Sequence, residues 1–202
     1  MKKMMLLGAL IVCTAAVGHA QESRQDISAS FIGVYAPAVY GLVVHPMTTT
    51  TTGGLLASYR YMLTPRSAVE LNYTFAQDSL VYNAPSVGVF GRVNARQQEF
   101  SGAYVYSRTY KNYNPFLEAG VGGVFFTPIL DNGTNQIAVL KQQVKIGGLF
   151  GGGLAYEINP SFDIRIEYRG FLMKAPDFTY APFNSNRYYV AMSPSLGVAY
   201  HF

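Results

Sequence analysis

Ser195-Leu196-Gly197-Val198-Ala199-Tyr200-His201-Phe202 is the stretch of sequence that decides the fold. Its large apolar residues recur at every second position, and small or polar residues occupy the positions between them. A period of two is typical of a β-strand with one apolar face. Left open in water, such a strand would be an exposed and adhesive edge. We therefore expect it to close a barrel, with its apolar face against lipid.

The composition also favours a membrane barrel over a soluble domain. Of the 202 residues, 50% are hydrophobic and only 13% are charged, whereas about a quarter of the residues in a typical soluble domain are charged. The formal net charge is +4, and two of these charges are Lys2 and Lys3. No run of Lys and Arg of the kind that tracks phosphates is present, so nucleic acid is not an expected partner.

The first twenty residues have the layout of a secretory signal peptide. Lys2 and Lys3 precede an apolar run that ends at the small-x-small sequence Gly18-His19-Ala20. The run is shorter than the ~20 residues that a membrane helix needs, which disfavours the alternative of a single membrane anchor. We predict a signal peptide over 1–20 and an outer-membrane β-barrel domain over 21–202.

Cys13 is the only cysteine, and it lies inside the predicted leader. A lipoprotein cysteine is the alternative, but Val12 stands where a small residue is wanted. Cleavage after Ala20 would leave a chain without thiols or disulfides, which must then be stabilised in another way. A closed, hydrogen-bonded barrel is one such way.

Eight stretches alternate with a period of two and are predicted to be strands. They cover 26–36, 53–63, 67–76, 95–107, 116–126, 142–157, 162–170 and 187–202. Their usual length of ~10 residues is what a tilted membrane strand requires. Long and short connections alternate, and the long ones are 37–52, 77–94, 127–141 and 171–186. This layout predicts an all-β fold, an eight-stranded antiparallel up-and-down transmembrane β-barrel with four long extracellular loops.

Apolar faces that meet lipid leave the polar faces for the barrel interior. The side chains predicted to form a charge network in this lumen are Arg60, Glu70, Glu99, Glu118, Lys145, Glu157, Asp163, Arg165, Glu167 and Arg169. Eight strands enclose a space that side chains fill, and an unpaired charge there is costly. We expect salt bridges that plug the lumen. A gated ion path through the same charges is the alternative, and a soluble lipocalin-like barrel is the alternative fold.

Candidate catalytic chemistry is sparse. Ester hydrolysis needs a nucleophile beside a His base, and only His45 and His201 follow the leader. His45 lies in a loop near the threonines 48–52, where a histidine is ordinarily solvated, and His201 is near the periplasmic end. The glycines within 147–153 lack the Lys-Ser/Thr and the helix of a phosphate loop. No metal-ligand spacing is present, so we expect no enzyme and no cofactor.

Three features of the sequence carry a resemblance to a known family: the eight runs, the ending Tyr200-x-Phe202 and the segment Pro115-Phe116-Leu117-Glu118-Ala119-Gly120-Val121-Gly122. Together they resemble the OmpA-type small outer-membrane barrels of Gram-negative bacteria. The resemblance implies location in the cell outer membrane. It also implies that Gly197, Tyr200 and Phe202 form a C-terminal signal that the barrel assembly machinery reads. We expect a monomer in outer-membrane lipid, without a peptidoglycan-binding domain after Phe202.

Two functions follow from this architecture. The first is a structural or surface-interaction role, in which the long loops contact a partner that the sequence does not identify. The second is a small passive channel for ions or solutes.

Overall fold

Nine antiparallel strands dominate the computed structural model, which describes residues 24–41, 47–84, 89–129 and 140–202. The strands are β1 (Gln25–Val34), β2 (Met47–Thr49), β3 (Thr52–Thr64), β4 (Ser67–Ala84), β5 (Val89–Ser107), β6 (Tyr113–Pro128), β7 (Gln143–Asn159), β8 (Phe162–Lys174) and β9 (Tyr188–His201). A 3-10 helix covers Ala181–Phe183. Among these described residues, no helix is long and apolar enough to cross a membrane. The predicted leader and His45 lie outside the described residues.

The strand that decides the fold closes the barrel. Leu196 of β9 lies opposite Phe31 of β1 on one side and opposite Ile166 of β8 on the other. The remaining neighbours follow chain order from β3 to β8, and β1 pairs with β3. The predicted eight-stranded antiparallel up-and-down barrel is therefore confirmed. The short β2, which lies in the predicted loop 37–52, is an additional strand that pairs with β4.

The two faces of the wall differ as the alternation predicts. Large apolar side chains point outward, and Phe31 and Ile146 are 77% and 81% exposed. Charged side chains point inward, and Arg165 is only 2% exposed. A soluble barrel has the opposite arrangement, because its apolar face forms the core. The wall is therefore built for lipid, and the lipocalin-like alternative is wrong.

This polarity inverts towards the long-loop end of β4 and β5. The outward positions after Phe75 are Gln77 and Ser79, and those before Phe100 are Gln98 and Arg96. These polar side chains mark the end of the lipid-facing band, so residues beyond them lie outside the membrane. Because Gln77–Ala84 and Val89–Asn94 still pair with each other, the two strands project as a hairpin.

The prediction of a loop over 77–94 is wrong for the described residues of that range. The alternation continues there, but Leu80, Tyr82 and Val93 now face inward and are buried. Polar side chains on the outside and Pro85 gave the segment the composition of a loop. A strand that leaves the membrane keeps its period of two and exchanges its polar and apolar faces.

The inward apolar residues form a cap over the outer mouth of the barrel. Phe178 and Phe183, from the connection between β8 and β9, are buried in this cap. Tyr82 stacks on Phe183 with ring centroids 4.1 Å apart, and its hydroxyl donates to the carbonyl of Pro176 at 2.7 Å. The predicted loop 171–186 is thus partly wrong, since β8 continues to Lys174 and the rest folds back into the mouth.

Candidate functional site

The inward face of the periplasmic half of the barrel carries a first group of ion pairs, contributed by β1, β3, β4 and β8. Nε of Arg60 donates to Oε2 of Glu70 at 2.7 Å, because the two residues lie opposite each other on β3 and β4. Arg165 lies 3.3 Å from Asp26 and 3.9 Å from Glu70. The ring of Phe116 faces both guanidinium groups, with its centroid 4.9 Å from Cζ of Arg60 and 5.8 Å from Cζ of Arg165.

A second group surrounds Arg169 of β8. Its Nε lies 3.3 Å from Oε1 of Glu118 and 3.2 Å from Oε1 of Glu167, and its Nη2 lies 3.2 Å from Oε1 of Glu99. Gly151, opposite Arg169 on β7, makes room for this group, since a Cβ atom there would lie 2.6 Å from Oε1 of Glu118. The absence of a side chain at Gly151 thus lets the carboxylate of Glu118 lie close to the backbone of β7 inside the lumen.

The described lumen contains more acid than base. Its carboxylates are Asp26, Glu70, Glu99, Glu118, Asp163 and Glu167, and its arginines are Arg60, Arg165 and Arg169. Oxygens of Glu70, Glu118 and Glu167 lie within 4.8 Å of one another. The guanidinium groups of Arg60, Arg165 and Arg169 already contact these carboxylate oxygens, in the space that a metal ion would need. We therefore assign no metal here. The excess carboxylates must therefore be neutralised in the folded barrel or be used by a function of the lumen.

A polar cavity of about 120 Å³ opens at the periplasmic end. Nε2 of His201 lies 2.8 Å from Oδ2 of Asp163 beside it. Towards the outer end, a void of about 20 Å³ separates Glu99 from the apolar cap. The first is roughly large enough for a few water molecules and the second for one. Ion pairs and packed side chains occupy the space between the two cavities.

The structure distributes the ten predicted lumen residues unequally. Eight of them take part in the contacts above, whereas Lys145 and Glu157 lie apart. Nζ of Lys145 is 3.8 Å from Asp177 at the outer end. Glu157 is half-buried near the periplasmic turn, where its backbone N–H donates to the carbonyl of Asn112.

Two residues of the lumen, Asp26 and His201, are not part of the predicted charge network, although His201 was predicted to point inward. Asp26 was placed at the start of a strand, where its contact with Arg165 across 139 residues of chain has no local signal. His201 alternates with Tyr200 and so points inward. The period of two therefore indicated its direction, although it did not indicate Asp163 as its partner.

The three residues of the predicted C-terminal signal occupy different environments. Gly197 faces β1, where a Cβ atom would approach the carbonyl oxygen of Ala29 to 2.3 Å. Tyr200 and Phe202 face outward with stacked rings 6.0 Å apart. The glycine thus permits close contact at the seam, and the two aromatic residues lie at the periplasmic edge of the lipid-facing band.

Basic residues that are distant in sequence gather at the outer end. They are Arg92, Arg96, Lys141, Lys145, Lys174 and Arg187. Lys145 and Lys174 are half-buried, and the other four are exposed. The described carboxylates of this region are Asp177 and Asp78, of which Asp78 is buried. Up-and-down topology causes this gathering, because it brings every second connection to the same end.

Asp78 lies in the projecting hairpin, outside the lipid-facing band. Its Oδ2 accepts a hydrogen bond from Nε2 of Gln97 at 2.6 Å, whereas its buried Oδ1 has no hydrogen-bond partner among the described residues. Burial in the apolar cap raises the pKa of this carboxyl to about 6, and the hydrogen bond from Gln97 opposes the shift.

A closed barrel with an apolar outside, a charged inside and a capped outer mouth defines an outer-membrane β-barrel protein. The family model of the outer membrane protein beta-barrel domain matches residues 5–202. The chain belongs to this family, and its location is the outer membrane of a Gram-negative bacterium. No match to the chain was found among curated proteins.

Solved structures of small outer-membrane barrels share the fold. The outer membrane protein OprG from Pseudomonas aeruginosa superposes with a TM-score of 0.66 at 16% identity, over 91% of this chain and 98% of that chain. Neisserial surface protein A (NspA) gives 0.63 at 16% identity, over 89% and 98%. Ail, the attachment invasion locus protein of Yersinia pestis, gives 0.55 at 15% identity, over 90% and 100%, in a complex with the heparin analogue sucrose octasulfate.

Proposed function

We propose that this protein is a surface-interaction barrel whose outer end binds a polyanion. The observation that carries the proposal is the basic outer end, where six Lys and Arg side chains face only two described Asp. Of these two carboxylates, Asp78 is buried and Asp177 already contacts Lys145. Uncompensated cations on one surface attract anionic ligands and speed their association.

The surface around Lys141 and Arg187 is held in place, which favours binding. The N–H of Lys141 donates to the carbonyl of Phe178 in the cap, and the carbonyl of Arg187 accepts from Ala175. Oε1 of Gln143 accepts hydrogen bonds from the amides of the same connection. A preorganised surface loses less conformational entropy on binding than a mobile one. Ail, whose fold is similar, has been crystallised with a highly sulfated saccharide.

We propose that the lumen is a structural plug. Its buried arginines each contact two or more groups, and the apolar cap covers the outer mouth. A passive channel is the second candidate, and the excess of carboxylates in the lumen is the observation that favours it. We infer that the cavities of about 120 and 20 Å³ are too small and too separate to conduct.

The remaining parts of the proposal concern export and assembly. Residues 1–20 serve as a cleaved signal peptide, and the β9 residues Gly197, Tyr200 and Phe202 are read by the barrel assembly machinery. The mature barrel is a monomer in outer-membrane lipid and has no catalytic role. Intact mass of the protein isolated from outer membranes tests the cleavage site after Ala20.

Binding of sucrose octasulfate to the refolded barrel in detergent micelles tests the proposed function. We expect binding that weakens with added salt and falls about tenfold in the double variant Lys141→Glu, Arg187→Glu, which corresponds to about 1.4 kcal/mol. Arg66→Glu, an exposed arginine at a periplasmic turn, is the matched control. Equal losses in the control, or binding without salt dependence, would contradict the proposal.

Planar-bilayer recordings test the plug. We expect no reproducible openings from the wild-type protein. Steady conductance that changes in Glu118→Gln or Arg165→Gln would favour the channel instead.

A further inference from the structure

A groove runs down the lipid-facing wall where β1, β3 and β4 meet. Gly33 and Gly53 lie directly opposite each other on β1 and β3, so the outward face has no side chains at this point. Phe31 and Leu55 form the next outward pair, and Phe75 lies opposite Leu55 on β4. Phe31, Gly53, Leu55 and Phe75 line a depression of about 660 Å³ in the outer half of the wall.

The depression continues towards the middle of the wall. A second space of about 410 Å³ shares Phe31, Leu55 and Phe75 with the first, and it extends over the small side chains of Ala29 and Ala57. From Gly53 to Ala57 the strand advances roughly 13 Å. The groove is therefore long, narrow and apolar, and it follows the strands.

The groove ends at polar groups just beyond the lipid-facing band. Gln77 lies at its outer end, in register with Arg96 of β5. The side chain of Arg96 is exposed, and its guanidinium has no hydrogen bond or ion pair with any described residue. Arg92 lies four residues further out on the same face. None of the described outward side chains of this hairpin is a carboxylate, so the positive charge of Arg96 is not neutralised by the wall.

We propose that the groove binds one phosphorylated lipid of the outer leaflet. One acyl chain lies over Gly33 and Gly53, between Phe31, Leu55 and Phe75, and the phosphate contacts Arg96. An apolar groove with a cation at its outer end matches the two parts of an anionic lipid, and arginine is well suited to bind phosphate with two hydrogen bonds. A second barrel would fill the groove but would leave the arginine without a counter-charge.

This site shares Arg96 with the basic outer end, but it does not use Lys141 or Arg187, so the variants that test the polyanion proposal leave the lipid site intact. The apolar groove and the arginine at its end can also be tested separately. Filling the groove should weaken binding of any lipid there, whereas removing the charge should weaken binding only of phosphorylated lipids.

The chain offers matched variants for both parts. A Cβ atom at Gly53 would have its nearest neighbour, the carbonyl oxygen of Ile32, at 3.9 Å, so Gly53→Leu fills the groove without a backbone clash. Gly123 on β6 is another outward glycine, with a nearest contact at 3.7 Å, and Gly123→Leu is its control. Arg96→Gln removes the charge, and Arg66→Gln removes an exposed arginine at the opposite end.

Native mass spectrometry of the refolded barrel, titrated with diphosphoryl lipid A, measures binding. We expect one retained lipid on the wild-type protein and about tenfold weaker retention in Gly53→Leu and in Arg96→Gln. Both controls should bind like the wild type, and dephosphorylated lipid A should bind weakly whether or not Arg96 is present. A heat-induced shift in gel mobility verifies that each variant is folded.

Three results would overturn the proposal. Undiminished binding in Gly53→Leu would place the lipid elsewhere. Equal losses in the two control variants would show non-specific adhesion to the barrel. Dimers that Gly53→Leu separates would mean that a second copy of the chain occupies the groove.

Discussion

Nε of Arg169 lies 3.3 Å from Oε1 of Glu118, and both side chains are almost completely shielded from solvent. The same guanidinium contacts Glu167 and Glu99 at 3.2 Å. One cation thus joins carboxylates from β5, β6 and β8 across the lumen. Its removal would leave three carboxylates, two of them buried, without their shared partner.

We therefore expect Arg169→Met to destabilise the barrel by about 3–5 kcal/mol, the usual cost of breaking a buried ion pair. Urea unfolding in lipid vesicles, followed by the gel mobility of folded and unfolded protein, measures the loss. Arg66→Met, at an exposed turn, should change stability by less than about 0.5 kcal/mol. Similar values for the two variants would contradict a structural role for the network.

Glu118 and Glu70 should respond differently to loss of charge. Glu70 accepts a 2.7 Å hydrogen bond from Arg60 and also lies near Arg165, so Glu70→Gln should cost about 3 kcal/mol. Glu118 shares a single arginine with two other carboxylates, so Glu118→Gln removes an excess charge and should not lower stability at neutral pH. The same vesicle assay compares the two variants. A loss in Glu118→Gln as large as in Glu70→Gln would show that each carboxylate is individually balanced.

The barrel itself could be predicted from the sequence because alternation fixes both the strand and the side that each residue faces. The alternation within Ser195–Phe202 indicated its role as the closing strand, since an apolar face is a local property and a strand of this kind needs a partner on each edge. Glu118 and Arg169 were recognised as inward-facing for the same reason. Their contact was not predictable, because it depends on register across three strands.

The outer end was less predictable because the solvent changes there. If the whole outer surface is assumed to contact lipid, apolar residues such as Leu80 and Tyr82 are not expected to face inward. The segment is then interpreted as a loop of mixed composition. The position of Arg96, Lys141 and Arg187 at the same end of the barrel depends on topology rather than on sequence distance. Both features become visible only when the strands are placed relative to the membrane.

Asp78 should make the stability of the outer cap depend on pH. Its pKa is raised to about 6 in the folded protein by burial, so the folded state holds this proton more tightly than the unfolded state. The stabilising contribution is therefore present at low pH and is lost as pH rises from about 4 through about 6, with a total of up to about 3 kcal/mol. Unfolding midpoints measured from about pH 3 to about pH 7, about one unit on either side of this transition, test the prediction.

Asp78→Asn keeps an acceptor for Gln97 and removes the ionisation. We expect the variant to be more stable than the wild type at neutral pH and to lose the corresponding part of the pH dependence. Asp177→Asn, a half-buried carboxylate of the same region, is the control and should retain the pH dependence that Asp78 causes. A wild-type profile that Asp78→Asn does not alter would contradict a buried, protonated carboxyl in the cap.

Phe183 should hold the connection between β8 and β9 in the barrel mouth. It stacks on Tyr82 at 4.1 Å, and its Cζ atom fills the space beside Gly91. Phe183→Ala should cost the cap about 3–5 kcal/mol, the usual range for a buried Phe, and should loosen the chain around the already exposed Arg187 so that trypsin cleaves it faster. Cleavage after Arg187 should accelerate while the gel mobility shift of the barrel is retained, because the ring packs against Tyr82 and Gly91, which lie beyond the lipid-facing band. Tyr40→Ala, at an exposed tyrosine, should not change the cleavage rate. Loss of the folded band in Phe183→Ala would mean that the cap and the barrel unfold as one unit.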